Sequence, residues 1–207
     1  MSRLSLQGAA LFAFIPLVLY LYLELPLGAG GSLIVGLLLM FGHRFLAAPW
    51  MARHATERCL WCGRSGDLTE RFVVQAAGRP LTLAACGPEH RGWSARFLNF
   101  AARFRAWIGA GIFLPLIVLL GGTAALALGH PLIPLEGNRL QFKLVVAATV
   151  VATSMFYRLG SPSAGSLVSP FPLHNLFLLG VRSTLWVFRL VGIYWLVTGL
   201  VSLAGRR

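Results

Sequence analysis

The chain has 207 residues, of which 57% are hydrophobic and 12% charged, and its mean hydropathy is +0.75. A water-soluble domain of this length cannot hide so much apolar surface, which excludes the soluble globular classes and points to the bilayer as solvent. Its net charge of +12 comes from eighteen basic residues, Lys143 being the only lysine, against six acids, and ten arginines fall between Arg44 and Arg105. On a soluble chain such a balance suggests nucleic acid. Beside membrane spans, topology control and anionic lipid explain it more simply, so nucleic acid is set aside.

In chain order, a first span is expected over 8–25, with Pro16 inside it and Glu24 near its end. The apolar stretch is too long for a signal core and a second span follows it directly, so residues 1–30 do not have the pattern of a cleavable signal. Gly28-Ala29-Gly30-Gly31 then reads as a reversing turn, and a second span runs from 32 into the 45–50 region, with His43 and Arg44 in its last turns. Residues 1–48 are thus a transmembrane hairpin. Residues 49–106 form a water-exposed module carrying four of the six acids. Residues 107–207 supply three more spans, over 107–128 with Pro115 inside, over 140–156 with Lys143 near its start, and over 184–204 with Arg189 inside. The Gly/Ser/Pro-rich segment 159–175 reads as a loop.

Counting basic residues in short loops places the module in the cytoplasm, since nine arginines beside two spans would otherwise be translocated. Five spans then put the carboxyl terminus, with Arg206 and Arg207, outside. Those two arginines conflict with the same rule, unless two terminal charges are tolerated or one span fails to cross.

Within the module, Cys59-Leu-Trp-Cys62-Gly63 and Cys86-Gly-Pro-Glu-His90 give the spacing C-x2-C-x23-C-x3-H. Four such ligands in two pairs are what a closed tetrahedral zinc site requires, and three cysteines in a cytoplasmic segment argue against a disulfide framework. Between the pairs, 69–75 and 81–85 read as two short strands around a turn, and Pro88 suits the first turn of a helix. Knuckle, hairpin and helix start follow one another.

The segment from Cys59 to His90 resembles the treble-clef zinc knuckles of the TRASH and MYM type, in which a C-x2-C pair, a hairpin and a C-x3-C pair follow in that order. The resemblance covers about thirty residues. It implies zinc on Cys59, Cys62, Cys86 and His90, with His90 standing where the family has a cysteine. An imidazole keeps zinc chemistry but suits copper(I) or mercury less well than a fourth thiolate. His54 is an alternative fourth ligand with a poorer spacing. The zinc is expected to be structural, folding a unit too small to own a core. A redox dithiol at Cys59 and Cys62 lacks the thioredoxin-like surroundings such pairs use, and four ligands leave no open position for catalysis.

A helix is expected from His90 to Arg105 and on into the third span. On it Trp93, Phe97, Phe100, Phe104 and Trp107 fall within about 80° of one another, flanked by Arg96, Asn99 and Arg103. Such a stripe suits a membrane surface or a partner, with Trp93, Arg96, Phe97, Phe100, Arg103 and Phe104 as the contact residues. The alternative is that it packs inward on the module or a span. His43, His130 and His174 lie near interfaces where a haem or chlorophyll could be ligated, although a lone interfacial histidine needs no such role. Asn175, after Ser169-Pro-Phe-Pro, could cap a helix. Ala148 and Ala152, and Gly121, Ala125 and Gly129, make small-residue faces suited to helix contact.

The fold expected is therefore an all-α integral membrane protein of about five transmembrane helices, with a small cytoplasmic treble-clef-like zinc module between the second and third. No span carries an acid pair or polar chain of the kind an ion path needs. The leading functional expectation is a non-enzymatic accessory subunit, scaffold or assembly factor of a larger membrane complex, whose zinc module docks a cytoplasmic partner. The alternatives are a metal-responsive or metal-handling membrane protein and a thiol-redox enzyme using Cys59 and Cys62.

Overall fold

The computed structural model describes residues 28–42, 45, 57–76, 79–130, 134–162, 167–169 and 180–205. The expected first span, His43, Arg44, His54, His174, Asn175, Arg206 and Arg207 lie outside the described residues.

Helix α1 spans Ala29–Gly42. The turn expected at 28–31 is corrected: the helix begins within it. Its first N–H groups have no intrahelical partner in any case, so small residues there forfeit little. Fourteen residues rise about 21 Å, less than a bilayer core, and the remainder of the expected second span lies outside the described residues.

The module follows. Strands β1, Glu70–Ala76, and β2, Arg79–Ala85, pair antiparallel from Glu70↔Ala85 to Ala76↔Arg79. Phe72, Val74, Leu83 and Ala85 point inward, the period-two pattern expected of a half-buried hairpin. The pairing runs through Pro80 to Ala76↔Arg79, so residues 79 and 80 of the expected turn belong to the strand, and 77–78 lie outside the described residues. Pro80 is tolerated because β2 is an edge strand in the order β2-β1-β3. The third member, β3, Leu167–Ser169, pairs parallel to β1 with Val74↔Leu167 and Ala76↔Ser169. This corrects the reading of 159–175 as loop throughout. A free edge on β1 offers backbone partners that no local pattern within the loop can reveal.

Helix α2, Pro88–Arg103, starts with its proline in the first turn and stops at Phe104, whose φ of −102° and ψ of 21° break the helix for one residue before α3, Arg105–Ala127. The continuous helix expected from 90 into the third span is thus two helices. Helix α4, Leu135–Phe156, starts five residues before the expected 140 and ends in a single 3-10 turn, Tyr157–Leu159. Helix α5 spans Gly180–Ala204. Among the described residues, three helices, Arg105–Ala127, Leu135–Leu159 and Gly180–Ala204, are long and apolar enough to cross a membrane.

Helix α4 packs against both α3 and α5, and α1 against α3. The contacts are closest at glycines. A Cβ on Gly111 would meet the Thr149 side chain, one on Gly122 would lie 2.6 Å from Asn138 Nδ2, and one on Gly192 would lie 2.6 Å from Val151 Cγ2. Of the small residues expected at helix contacts, Gly121, Gly129 and Ala148 are exposed rather than packed within the chain. Spacing finds small residues but not which side of the helix meets a neighbour.

The bundle buries polar side chains beside an apolar cluster of Leu119, Phe142, Val146 and Trp195, and it exposes large apolar ones. Thr123, Asn138, Thr149 and Ser154 are buried, whereas Leu114, Ile117, Leu190 and Val201 are each more than 60% exposed. Water would penalise that surface and hydrocarbon would not. The buried hydroxyls bond within their own helices, Thr123 Oγ1 donating to Leu119 O at 2.7 Å and Thr149 Oγ1 to Val145 O at 2.8 Å.

Candidate metal centre

The four candidate ligands are delivered by three local devices. The knuckle closes where Gly63 N–H donates to Cys59 O at 2.8 Å and Cys59 N–H to Arg64 O at 2.9 Å, with Gly63 at φ 73°. It is held to the hairpin by Leu60 N–H donating to Ala84 O at 2.8 Å. Cys86 leaves the end of β2, where its carbonyl accepts from Thr69 Oγ1 at 2.9 Å. His90 lies in the first turn of α2, and that turn is tied to β1 by Arg91 Nη1 to Glu70 Oε2 at 3.2 Å.

The result is one cluster. Ligand atoms of Cys59, Cys62, Cys86 and His90 all lie within 4.8 Å of one another. Cys59 Sγ stands 3.5 Å from His90 Nδ1, and Cys62 Sγ stands 3.6 Å from Cys86 Sγ. Zinc bonds of about 2.3 Å to sulfur and about 2.0 Å to nitrogen give tetrahedral edges of about 3.8 and 3.5 Å. The two edges at 3.5 and 3.6 Å match those of a tetrahedral metal, and the four residues brought together are those the spacing singled out. The cluster could hold a metal such as zinc.

The electrostatics favour a cation as well. Burial works against ionising Cys59, but hydrogen bonds from the Cys62 and Cys86 backbone outweigh it and lower its pKa. Burial, then the neighbouring Cys62 and Cys59 sulfurs, push the Cys86 thiol up to about 12. Without a cation Cys59 ionises more readily than a free thiol, while burial and the neighbouring sulfurs oppose ionising Cys86. A divalent ion removes that repulsion.

Because Cys86 keeps its proton through the neutral range, a metal entering near pH 7 has to displace it. Apparent zinc affinity is expected to fall as pH falls, about tenfold per pH unit for each thiol proton released. Competition titration with a chelator between pH 6 and 8 measures the slope, and a flat profile contradicts thiolate ligation.

The aromatic stripe divides. Phe97 and Phe100 are only 5% and 4% exposed and belong to the module core. That corrects their expected place on a membrane or partner surface, because the hairpin and the knuckle need an apolar helix face to close on. Trp93 stacks on Trp61 at 5.8 Å and meets Tyr157 edge-on at 6.5 Å. Phe104 sits against Phe100 at 4.8 Å. Arg96 lies over Trp93 at 5.4 Å and Arg103 over Phe104 at 5.6 Å, so the basic shoulder covers aromatic faces. Asn99 Nδ2 donates to Ser161 O at 2.8 Å. His130 is exposed at the end of α3.

Sequence reasoning missed the seat of the module. Val181 N–H donates to Leu60 O at 2.8 Å and Arg182 N–H to Trp61 O at 3.0 Å, so knuckle carbonyls satisfy orphan donors of the first turn of α5. Gly180, at φ +80°, lets the two backbones touch: a Cβ there would lie 2.5 Å from Trp61 O and 2.6 Å from Cys62 C. One hydrophobic core accordingly contains Cys59, Leu60 and Trp61 together with Tyr157, Leu167, Val181 and Leu185. The tryptophan between the two knuckle cysteines, a large apolar residue in a loop, was the available signal.

No family model, no curated protein and no solved structure matches the chain.

Proposed function

We propose that this is a non-enzymatic, multi-pass membrane protein of about five spans, an accessory subunit, scaffold or assembly factor of a larger membrane complex. Its 49–106 module is a cytoplasmic, treble-clef-type zinc knuckle that presents a rigid head to a partner. The observation that carries this reading is the junction between knuckle and α5. The four-ligand cluster lies behind Leu60 and Trp61, the residues whose carbonyls accept from Val181 and Arg182. A metal there stiffens a joint between a polar head and a spanning helix and leaves no coordination position for a substrate.

The expected result of mild-detergent purification from native membranes is a stoichiometric co-purifying protein that is lost when the cluster is stripped by chelator. A strictly monomeric species under those conditions overturns the reading.

A second reading has support in the same joint. Cys62, Cys86 and His90 are only partly buried, and the metal sits one residue from the contacts that hold α5, so metal loss would be transmitted to a spanning helix. This metal-responsive reading requires exchange in the folded protein. Zinc that leaves only on unfolding rules it out. The thiol-redox reading requires Cys59 and Cys62 to be alkylated at once, before any chelator is added.

A further inference from the structure

Beside the candidate metal centre, on the face where module and helices meet, lies a cavity of about 320 Å³ lined by Trp61, Glu89, His90 and Trp93 together with Arg158, Arg182 and Arg189. Three guanidiniums and one carboxylate line it, an excess of two positive charges. Such an excess in a concave, partly apolar site calls for an anion.

The arginines come from two elements. Arg158 follows α4 in its terminal 3-10 turn and lies over Trp93 at 5.7 Å. Arg182 is in the first turn of α5, with its backbone N–H bonded to Trp61 O and its side chain exposed. Arg189 is two turns further along α5. It lies over Trp186 at 5.3 Å, and its Nε donates to Ser154 Oγ at 3.3 Å and its Nη2 to Ser154 O. Glu89 accepts from Trp93 Nε1 at 3.4 Å. The aromatic faces and Ser154 hold two of the guanidiniums in place without neutralising them.

We infer that this cavity binds the phosphate of an anionic membrane lipid. The ligand chemistry is a phosphate oxyanion, which guanidinium forks match through paired N–H donors. The lipid source is favoured by what adjoins the cavity. Arg189 lies well inside a helix apolar enough to cross a membrane, on a chain where Trp186, Leu190 and Ile193 are 54%, 64% and 47% exposed. A headgroup at Arg182 and Arg158 can leave its acyl chains along that surface. Tryptophan at the polar end of a span is also where interfacial aromatics reside. The cavity shares His90 with the metal centre, so an occupied cavity braces one of the four ligands. This inference rests only on the membrane placement, and failure of the partner-docking reading leaves it intact.

The test uses full-length, zinc-loaded protein in detergent, titrated with phosphatidylglycerol or phosphatidylcholine and read by native mass spectrometry and tryptophan fluorescence. The expected result is binding of phosphatidylglycerol over phosphatidylcholine, weakened about tenfold in Arg182→Gln and further in Arg158→Gln/Arg182→Gln. The control Arg64→Gln/Arg71→Gln, which removes the same charge from exposed positions of the module, should have little effect. Zinc content and circular dichroism of each variant report on folding, and Arg182→Gln alone, a change at an exposed side chain, serves if the double variant fails to fold. Millimolar inorganic phosphate should not displace the lipid. If phosphate alone binds and competes, the oxyanion site stands and its lipid source is overturned. If the two lipids bind alike, or the control weakens binding as much as the cavity variants, the site is overturned.

Discussion

Cys59→Ser, Cys62→Ser, Cys86→Ser and His90→Ala are each expected to abolish stoichiometric zinc and to unfold the module. The cluster joins the knuckle, the end of β2 and the first turn of α2, and each lost donor removes one corner of that joint. Metal binding in so small a unit is coupled to folding by on the order of 10 kcal/mol, more than a domain of this size gains from its core. Cys59 is fully buried, so its serine variant also leaves a hydroxyl in the core. His90→Cys should retain the metal, since four thiolates are equally tetrahedral, and should shift preference towards softer ions. His54→Ala should change nothing. Zinc analysis with near-ultraviolet circular dichroism reads all six variants. Retention of zinc by His90→Ala together with its loss in His54→Ala would falsify the assignment of the fourth ligand.

Gly180→Ala is expected to separate the module from the bundle while leaving its zinc in place. An L side chain at φ +80° costs about 1–2 kcal/mol, and this Cβ would strike backbone atoms of Trp61, Cys62 and Gly63, which cannot move aside as a side chain tip can. Relief requires α5 to retreat from the knuckle, which breaks the bonds from Val181 and Arg182 to Leu60 and Trp61 at about 1 kcal/mol each. The sum, about 3–4 kcal/mol, corresponds to a fall of about 10 °C or more in the melting temperature of the module. A matched change at Gly66, which has nothing within 4 Å although its φ is +117°, should cost only the backbone term. Equal melting shifts for Gly180→Ala and Gly66→Ala would mean that the joint contributes no stability.

Helices α3, α4 and α5, the hairpin and the four ligands were all legible in the sequence because each rests on a local rule. Long apolar runs, period-two alternation across 69–75 and 81–85, Pro88 at a helix start and the cysteine and histidine spacing are statements about neighbours in the chain. Hydropathy likewise placed the ends of the spans to within a few residues. The errors in packing have one origin. The Gly180 seat, β3 on the free edge of β1, the inward turn of Phe97 and Phe100, and the helix sides at Gly111 and Gly122 all depend on segments far apart in sequence.

Composition and spacing by themselves thus picked out three helices apolar enough to cross a membrane, the hairpin and the Cys/His set that could hold a metal, since transfer energies, backbone sterics and coordination geometry are fixed by residue type over short distances. Only the tertiary structure decided that the Cys59–Gly63 turn sits on the first turn of α5 and that Arg158, Arg182 and Arg189 surround one cavity with Trp61 and Trp93. Those arrangements follow from which backbone groups are left unpaired once each element has formed, and from the two glycine-rich surfaces that let α5 approach both the module and α4.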